Sequence, residues 1–154
     1  MTAPLMELAE NPNFADLPIV MADSLSSVEI WHYAPAAIFR RAVTLPDPES
    51  AAAQVHKDTV DRLVLALRPY GPPGIRDFAS FKAAYPKFLL YSSGSRFEWL
   101  PARLAHDGYR LERISWDFGA AYLVQAPQPR EPSTTYSLPP SAAPPRNPTV
   151  KSAP

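Results

Sequence analysis

Asp23 closes the run LPIVMAD, in which Leu17 to Met21 form a short apolar stretch of the kind a strand buried on both faces requires. Asp23, Ser24, Ser26 and Ser27 then offer side-chain oxygens for a helix N-terminus, and Ser26 with Glu29 has the spacing of a capping box. A strand that runs directly into a helix is the place where open α/β sheets hold their ligands. The second such place is the segment Ser92 to Ser95, SSGS, after the apolar run KFLLYSS. Free amides, a glycine and hydroxyls suit an anion there, although Ser95 as a helix cap and Gly94 as a turn account for the same residues. If both strands lie parallel in one sheet, Asp23 and Ser24 meet Tyr91, Ser92 and Ser93 at its carboxyl edge. Those five residues are the candidate ligand-binding set.

Other groups carry less. A dinucleotide fingerprint needs glycines after the first strand, where this chain has Asp-Ser-Leu-Ser-Ser, and an acid at that point repels phosphate. His32, His56 and His106 are scattered, with no His-x-x-x-His or His-Glu-x-x-His spacing. His56 with Asp58 and Asp61 has the residue types of a metal or acid–base group, and equally those of a polar helix start. His106 beside Asp107 and Gly108 reads as a favourable charge at a helix end. Trp31 and Tyr33 could stack on a sugar, but aromatic residues in a first crossover helix usually pack the core. No Gly-x-Ser-x-Gly elbow, Asp-x-Asp sugar-nucleotide motif or nucleophile triad spacing occurs. No catalytic residue, metal ligand or cofactor is therefore assigned.

Composition narrows the class. The 154 residues carry 15 basic and 15 acidic side chains, a net charge of zero. That argues against a nucleic-acid binder, whose affinity rests on neutralising phosphates, and against a polybasic membrane-surface domain. Cysteine is absent, which excludes disulfides and thiolate metal sites. MTAPLMELAENP lacks the basic start and apolar run of a signal peptide, and no stretch approaches the roughly 20 apolar residues of a membrane helix. A soluble chain that does not export itself is the expectation, cytoplasmic if free-standing.

The elements that must position the candidate residues follow from periodicity. Nine of the 20 prolines lie between Pro127 and Pro154, where Arg130, Glu131, Arg146 and Lys151 are the only charges. That composition predicts a disordered, polyproline-rich tail over 127–154, whose PSAAPPR also suits a proline-binding partner. Residues 1–16 read as a lead-in and 17–126 as one α/β domain. Within it, SLSSVEIWHYA is a helix stopped by Pro35, and Ala42 to Leu45 a short strand. Asp47-Pro48-Glu49 starts a helix, Asp58 restarts it, and Val60, Leu63, Val64 and Leu67 should face the core. GPPG at 71–74 is a turn, and Phe78, Phe81 and Tyr85 line a further helix. KFLLYSS is the third strand. Ser95 to Glu98 is a capping box opening a helix with Leu100 and Leu104 inward, ended at Asp107-Gly108. YRLERISWDF and AAYLVQA flank a short turn at Gly119, and Leu111, Ile114 and Trp116 mix with Tyr122 and Val124 as an antiparallel hairpin would. The order β-α-β-α-α-β-α-β-β predicts a small Rossmann-like three-layer sandwich, mainly parallel, with a C-terminal antiparallel hairpin at its edge.

The blocks LPIVMADSLSSVEIWHYAP, RRAVTLPDPESA, VHKDTVDRLVLALRPY, FKAAYPKFLLYSSGSRFEWLPARLAHDGYRLE and AAYLVQAP, in this order, resemble a known domain. It is the soluble C-terminal domain of bacterial integral-membrane glycosyltransferases of the dolichyl-phosphate-mannose–protein mannosyltransferase type. The resemblance spans Leu17 to Pro127 and lies in the pattern of hydrophobic blocks rather than in one motif. It implies a fold, an extracytoplasmic position when the domain is attached to its parent, and an accessory role. The implied partners are a membrane glycosyltransferase subunit or domain and a lipid-linked sugar or its acceptor. The membrane helices and the acidic loop residue that carry catalysis in such enzymes have no counterpart here, so no catalytic residue is carried over. Two other classes remain open: a free-standing Rossmann-like module binding a small anion or sugar, and an adaptor working through the proline-rich tail.

Overall fold

A computed structural model describes residues 3–70, 74–115 and 120–127. The proposed proline-rich tail from 128 onward, the Gly119 turn with Trp116, and Gly71 to Pro73 of the GPPG turn lie outside the described residues.

Among the described residues five strands form one sheet: β1 (Ile19–Met21), β2 (Ala42–Val43), β3 (Lys87–Ser92), β4 (Arg110–Ser115) and β5 (Ala120–Gln125), in the order β2-β1-β3-β5-β4. β1 pairs in parallel with β2 on one side and with β3 on the other, Met21 lying opposite Tyr91. β3–β5 and β5–β4 are antiparallel. The chain is thus mixed α/β, but its sheet is not mainly parallel. The parallel ladders hold two and three register pairs, whereas each antiparallel ladder holds six. The cause is strand length: β1 and β2 are short, while the hairpin strands match the full length of β3. The hairpin also packs differently from a simple edge addition, because β5 inserts between β3 and β4. Its sequence AAYLVQ buries Ala120, Ala121 and Val124, while RLERIS of β4 keeps Glu112 and Arg113 in water. The apolar strand takes the central place and the charged one the edge.

Among the described residues seven α-helices surround the sheet: α1 (Ala3–Glu10), α2 (Ser24–Tyr33), α3 (Ala36–Phe39), α4 (Pro48–Val55), α5 (Thr59–Leu67), α6 (Phe78–Ala84) and α7 (Leu100–His106). Alternate strand residues point to opposite faces, as the period of two demands. Val20, Phe88, Leu90 and Val124 meet Phe78 and Phe81 of α6 and Leu100 and Leu104 of α7. Ile19, Met21, Leu89 and Ala121 meet Leu5 and Leu8 of α1, Ile30 of α2 and Ile38 of α3. The lead-in segment 1–16 therefore contains a helix with two wholly buried leucines. Arg41 ties its end down: Nε donates to the Leu17 carbonyl, Nη1 to that of Ala9 and Nη2 to that of Phe14.

Three helices begin with the same device. Asp23, Asp47 and Asp77 cap α2, α4 and α6, and each accepts both the amide and the hydroxyl of the serine three residues on, Ser26, Ser50 or Ser80. The expected Ser26–Glu29 capping box does not form, because Ser26 is already inside α2 with its amide and hydroxyl held by Asp23. Glu98 does reach back to the Ser95 amide, but Ser95 Oγ accepts from Phe97 N, so a turn intervenes and α7 starts at Leu100. On α5, Val64 is buried as expected but Leu63 is 55% exposed. Asp61 occupies the inward position one turn before Val64 and rotates the helix away from the apolar stripe. Beside β2, Thr44 pairs with Ile75, and Gly74 sits at φ +100°, where an added Cβ would lie 2.2 Å from the Ala42 carbonyl oxygen.

Candidate functional site

The crossover from β1 to β2 runs to one side of β1, and β3 lies on the other side, so the connection reverses direction between β1 and β3. Open sheets of this kind leave a crevice at such a reversal, outside the carboxyl ends of the strands. Asp23 follows β1 and Ser93 follows β3, and the two meet there: Ser93 Oγ lies 3.4 Å from Asp23 Oδ2 and 3.4 Å from Ser26 Oγ. The five sequence-derived candidates are thus gathered at one edge, with different surroundings.

Asp23 is buried and spends its carboxylate on the chain, taking the Ser26 amide at 2.8 Å and the Ser26 hydroxyl at 2.7 Å. Ser92 and Ser93 donate to the two oxygens of Glu98 at 2.5 and 3.1 Å, and the Ser95 amide joins them at 3.2 Å. The Gly94 amide bonds to Ser92 Oγ at 3.3 Å. The anion suggested by SSGS is therefore already present as the side chain of Glu98. Tyr91 is buried in the α1–α2–α3 cluster, and its phenol is pushed up in pKa by burial first and then by the charges of Glu29, Glu98 and Asp23. It stays a neutral hydroxyl.

Ser24 turns the other way. Its hydroxyl donates to Asp61 Oδ1 at 3.1 Å, and the Asp47 amide donates to the same oxygen at 3.1 Å. Asp61 is only 5% exposed, and burial raises its pKa against the lowering effect of those two bonds. The indole N–H of Trp99 also favours the ionised carboxylate, yet makes no hydrogen bond of normal geometry. Among the described residues no donor reaches Asp61 Oδ2.

Asp23, Ser24 and Asp61 form the polar side of a pocket of about 310 Å³. Leu25, Val60 and Phe97 form its apolar side. Lys57 also lines it, with Nζ 4.8 Å from the centre of the Phe97 ring. Lys57 is placed by the turn between α4 and α5, where His56 adopts φ 55°. Sequence reasoning reached Asp23 and Ser24 but not Asp61, Lys57 or Phe97 as one group. The available signal was an acid at inward helical spacing, three residues before Val64, in a stretch otherwise read as core. His56, Asp58 and Asp61 do not converge, and among the described residues no group of three His, Cys, Asp or Glu side chains is arranged to hold a metal ion. No helix among those residues is long and apolar enough to cross a membrane.

In comparisons with known proteins, no family model, curated protein or solved structure matches this chain.

Proposed function

We propose that this chain is a non-catalytic α/β accessory domain of a membrane glycosyltransferase system, helping transfer from a lipid-linked sugar donor by holding an acceptor or donor beside the membrane subunit. The contact edge would lie around Asp23, Tyr91 and Ser93, with Ser93 exposed on it and Asp23 and Tyr91 buried behind it, and the domain would lie on the extracytoplasmic side when joined to its parent. We read the architecture as Rossmann-like, with β2-β1-β3 as its parallel half and helices covering both faces. The resemblance over Leu17 to Pro127 supports the family, and the crevice chemistry supports the role.

The observation that carries the role is the way the chain itself holds the crevice acids Asp23 and Glu98. Asp23 and Glu98 each accept two or three hydrogen bonds from the chain itself. An acid–base pair must instead turn a carboxyl toward a reacting atom. Carboxylates held this way make a rigid acceptor surface, which suits recognition better than turnover. Of the two ligands considered for a free-standing module, the same chemistry favours a sugar over an anion, since Glu98 takes the Ser95 amide and would repel a phosphate.

The test uses membranes from the source organism with and without this domain. Sugar transfer from lipid-linked donor should fall on its removal and recover on adding the purified chain. The purified chain alone should transfer nothing. Turnover by the chain alone, or transfer indifferent to its removal, overturns the reading.

A further inference from the structure

We propose that the pocket between α2, the start of α5 and Phe97 binds one neutral sugar or similar polyol of monosaccharide size, with a ligand hydroxyl donating to Asp61 Oδ2. Its place in glycosyl transfer rests on the accessory-domain reading, but its chemistry does not.

Three observations converge. The first is the carboxylate itself. Asp61 lines the pocket and is more than nine-tenths buried, its Oδ1 accepts from Ser24 Oγ and the Asp47 amide, and its Oδ2 accepts from none of the described donors. Oδ2 is not sealed off, since among the described residues the buried side-chain polar atom left without a partner is Trp99 Nε1, so a hydroxyl entering the pocket can donate to it. The second is the apolar part of the lining, where Leu25, Val60 and Phe97 offer carbon surface. A sugar ring has both faces this pocket asks for: C–H groups for the apolar wall and hydroxyls for the acid. The third is the charge arrangement. Asp23 and Asp61 disfavour an anionic ligand, and the Lys57 ammonium on the same lining offsets one of the two charges that would draw a cation. A neutral ligand needs no counter-charge, and a sugar oxygen can accept from Lys57. The volume, about 310 Å³, lies at the small end of ligand pockets, which limits the occupant to a single ring.

The experiment is a titration of the full ¹⁵N-labelled chain with glucose, galactose, mannose, N-acetylglucosamine and myo-inositol, each followed by amide shifts. Inorganic phosphate and ethylammonium serve as charged probes. At least one neutral sugar should give saturable shifts centred on Leu25, Lys57, Val60, Asp61 and Phe97. Asp61→Asn keeps an oxygen for Ser24 and Asp47 but replaces the free acceptor by a donor. It should weaken binding by about 10-fold, the factor that 1.4 kcal/mol corresponds to. Leu25→Trp, at a half-exposed site away from both core clusters, should block the pocket without disturbing the fold.

Absence of saturable binding by every sugar overturns the proposal. So does binding unchanged in both variants, or binding of phosphate or ethylammonium in place of the sugars. The two readings fail separately. Sugar binding with membrane transfer indifferent to the domain leaves the pocket standing and removes the accessory role. Transfer that depends on the domain, with no sugar bound, does the reverse.

Discussion

Aspartate does two kinds of work in this chain, and position decides which. Asp23, Asp47 and Asp77 end extended segments and are followed three residues later by serine, so their capping role is legible from local spacing alone. Asp61 has no such local signature. Its role depends on Ser24, 37 residues earlier in the chain, and on the Asp47 amide, and neither contact follows from periodicity. Burial raises the Asp61 pKa, so the folded chain holds that proton more tightly than the unfolded chain does. Stability from this group is fully present below the ordinary carboxylate range and declines as pH rises through the elevated value. Asp61→Asn removes the titration. Its melting temperature relative to the parent chain should therefore climb as pH rises above the unperturbed aspartate value of about 4. Thermal melts across that range check this; a constant difference would show that Asp61 ionises in the folded state as it does in the unfolded chain.

Among the elements, legibility followed local start and stop signals. α2, α4, α6 and β3 were readable because caps, proline stops and apolar spacing agree within one segment. α1 was not, since APLMELAE follows no Asp-x-x-Ser start of the kind that opens α2, α4 and α6, and a helix this short exists through what it packs against. Two contacts hold it: the burial of Leu5 and Leu8, and the three carbonyls bound by Arg41 around its end. Burial depresses the Arg41 pKa, yet a guanidinium stays charged, so these are charge-assisted bonds. Arg41→Leu should cost about 2–3 kcal/mol, above the value of one neutral hydrogen bond, because three carbonyls lose their donor together. Amide exchange should accelerate first over 5–17. The exposed neighbour Arg40 is the control, and Arg40→Leu should stay within about 0.5 kcal/mol. Equal effects of the two variants in a denaturant titration would mean that the clamp contributes nothing.

For the molecule as a whole, alternation of strands and helices pointed to an α/β domain with its site at the carboxyl edge. It did not show that β5 would separate β3 from β4, because that choice is settled by which hairpin strand tolerates burial on both sides. Only comparison of AAYLVQ with RLERIS reveals it. The resulting sheet has unequal margins: Thr44 and Ile75 pair alongside β2, whereas β4 faces outward with Arg110, Glu112 and Arg113 exposed. Charges on an open margin discourage pairing with another chain. Replacing Glu112 and Arg113 together by Val should make association concentration-dependent in sedimentation velocity, relative to the parent chain; unchanged sedimentation would mean that twist or shape, not charge, guards this edge. The pairing of β1 with β3 has a kinetic consequence as well. Asp23 and Ser93 are 70 residues apart in sequence, so their meeting requires closure of a long loop and comes after the local β4–β5 hairpin has every opportunity to form. A partly folded chain can own the hairpin and several capped helices while its crevice is still open. Occupancy of the crevice is then a property of the finished chain, and a ligand there would slow unfolding more than it hastens folding.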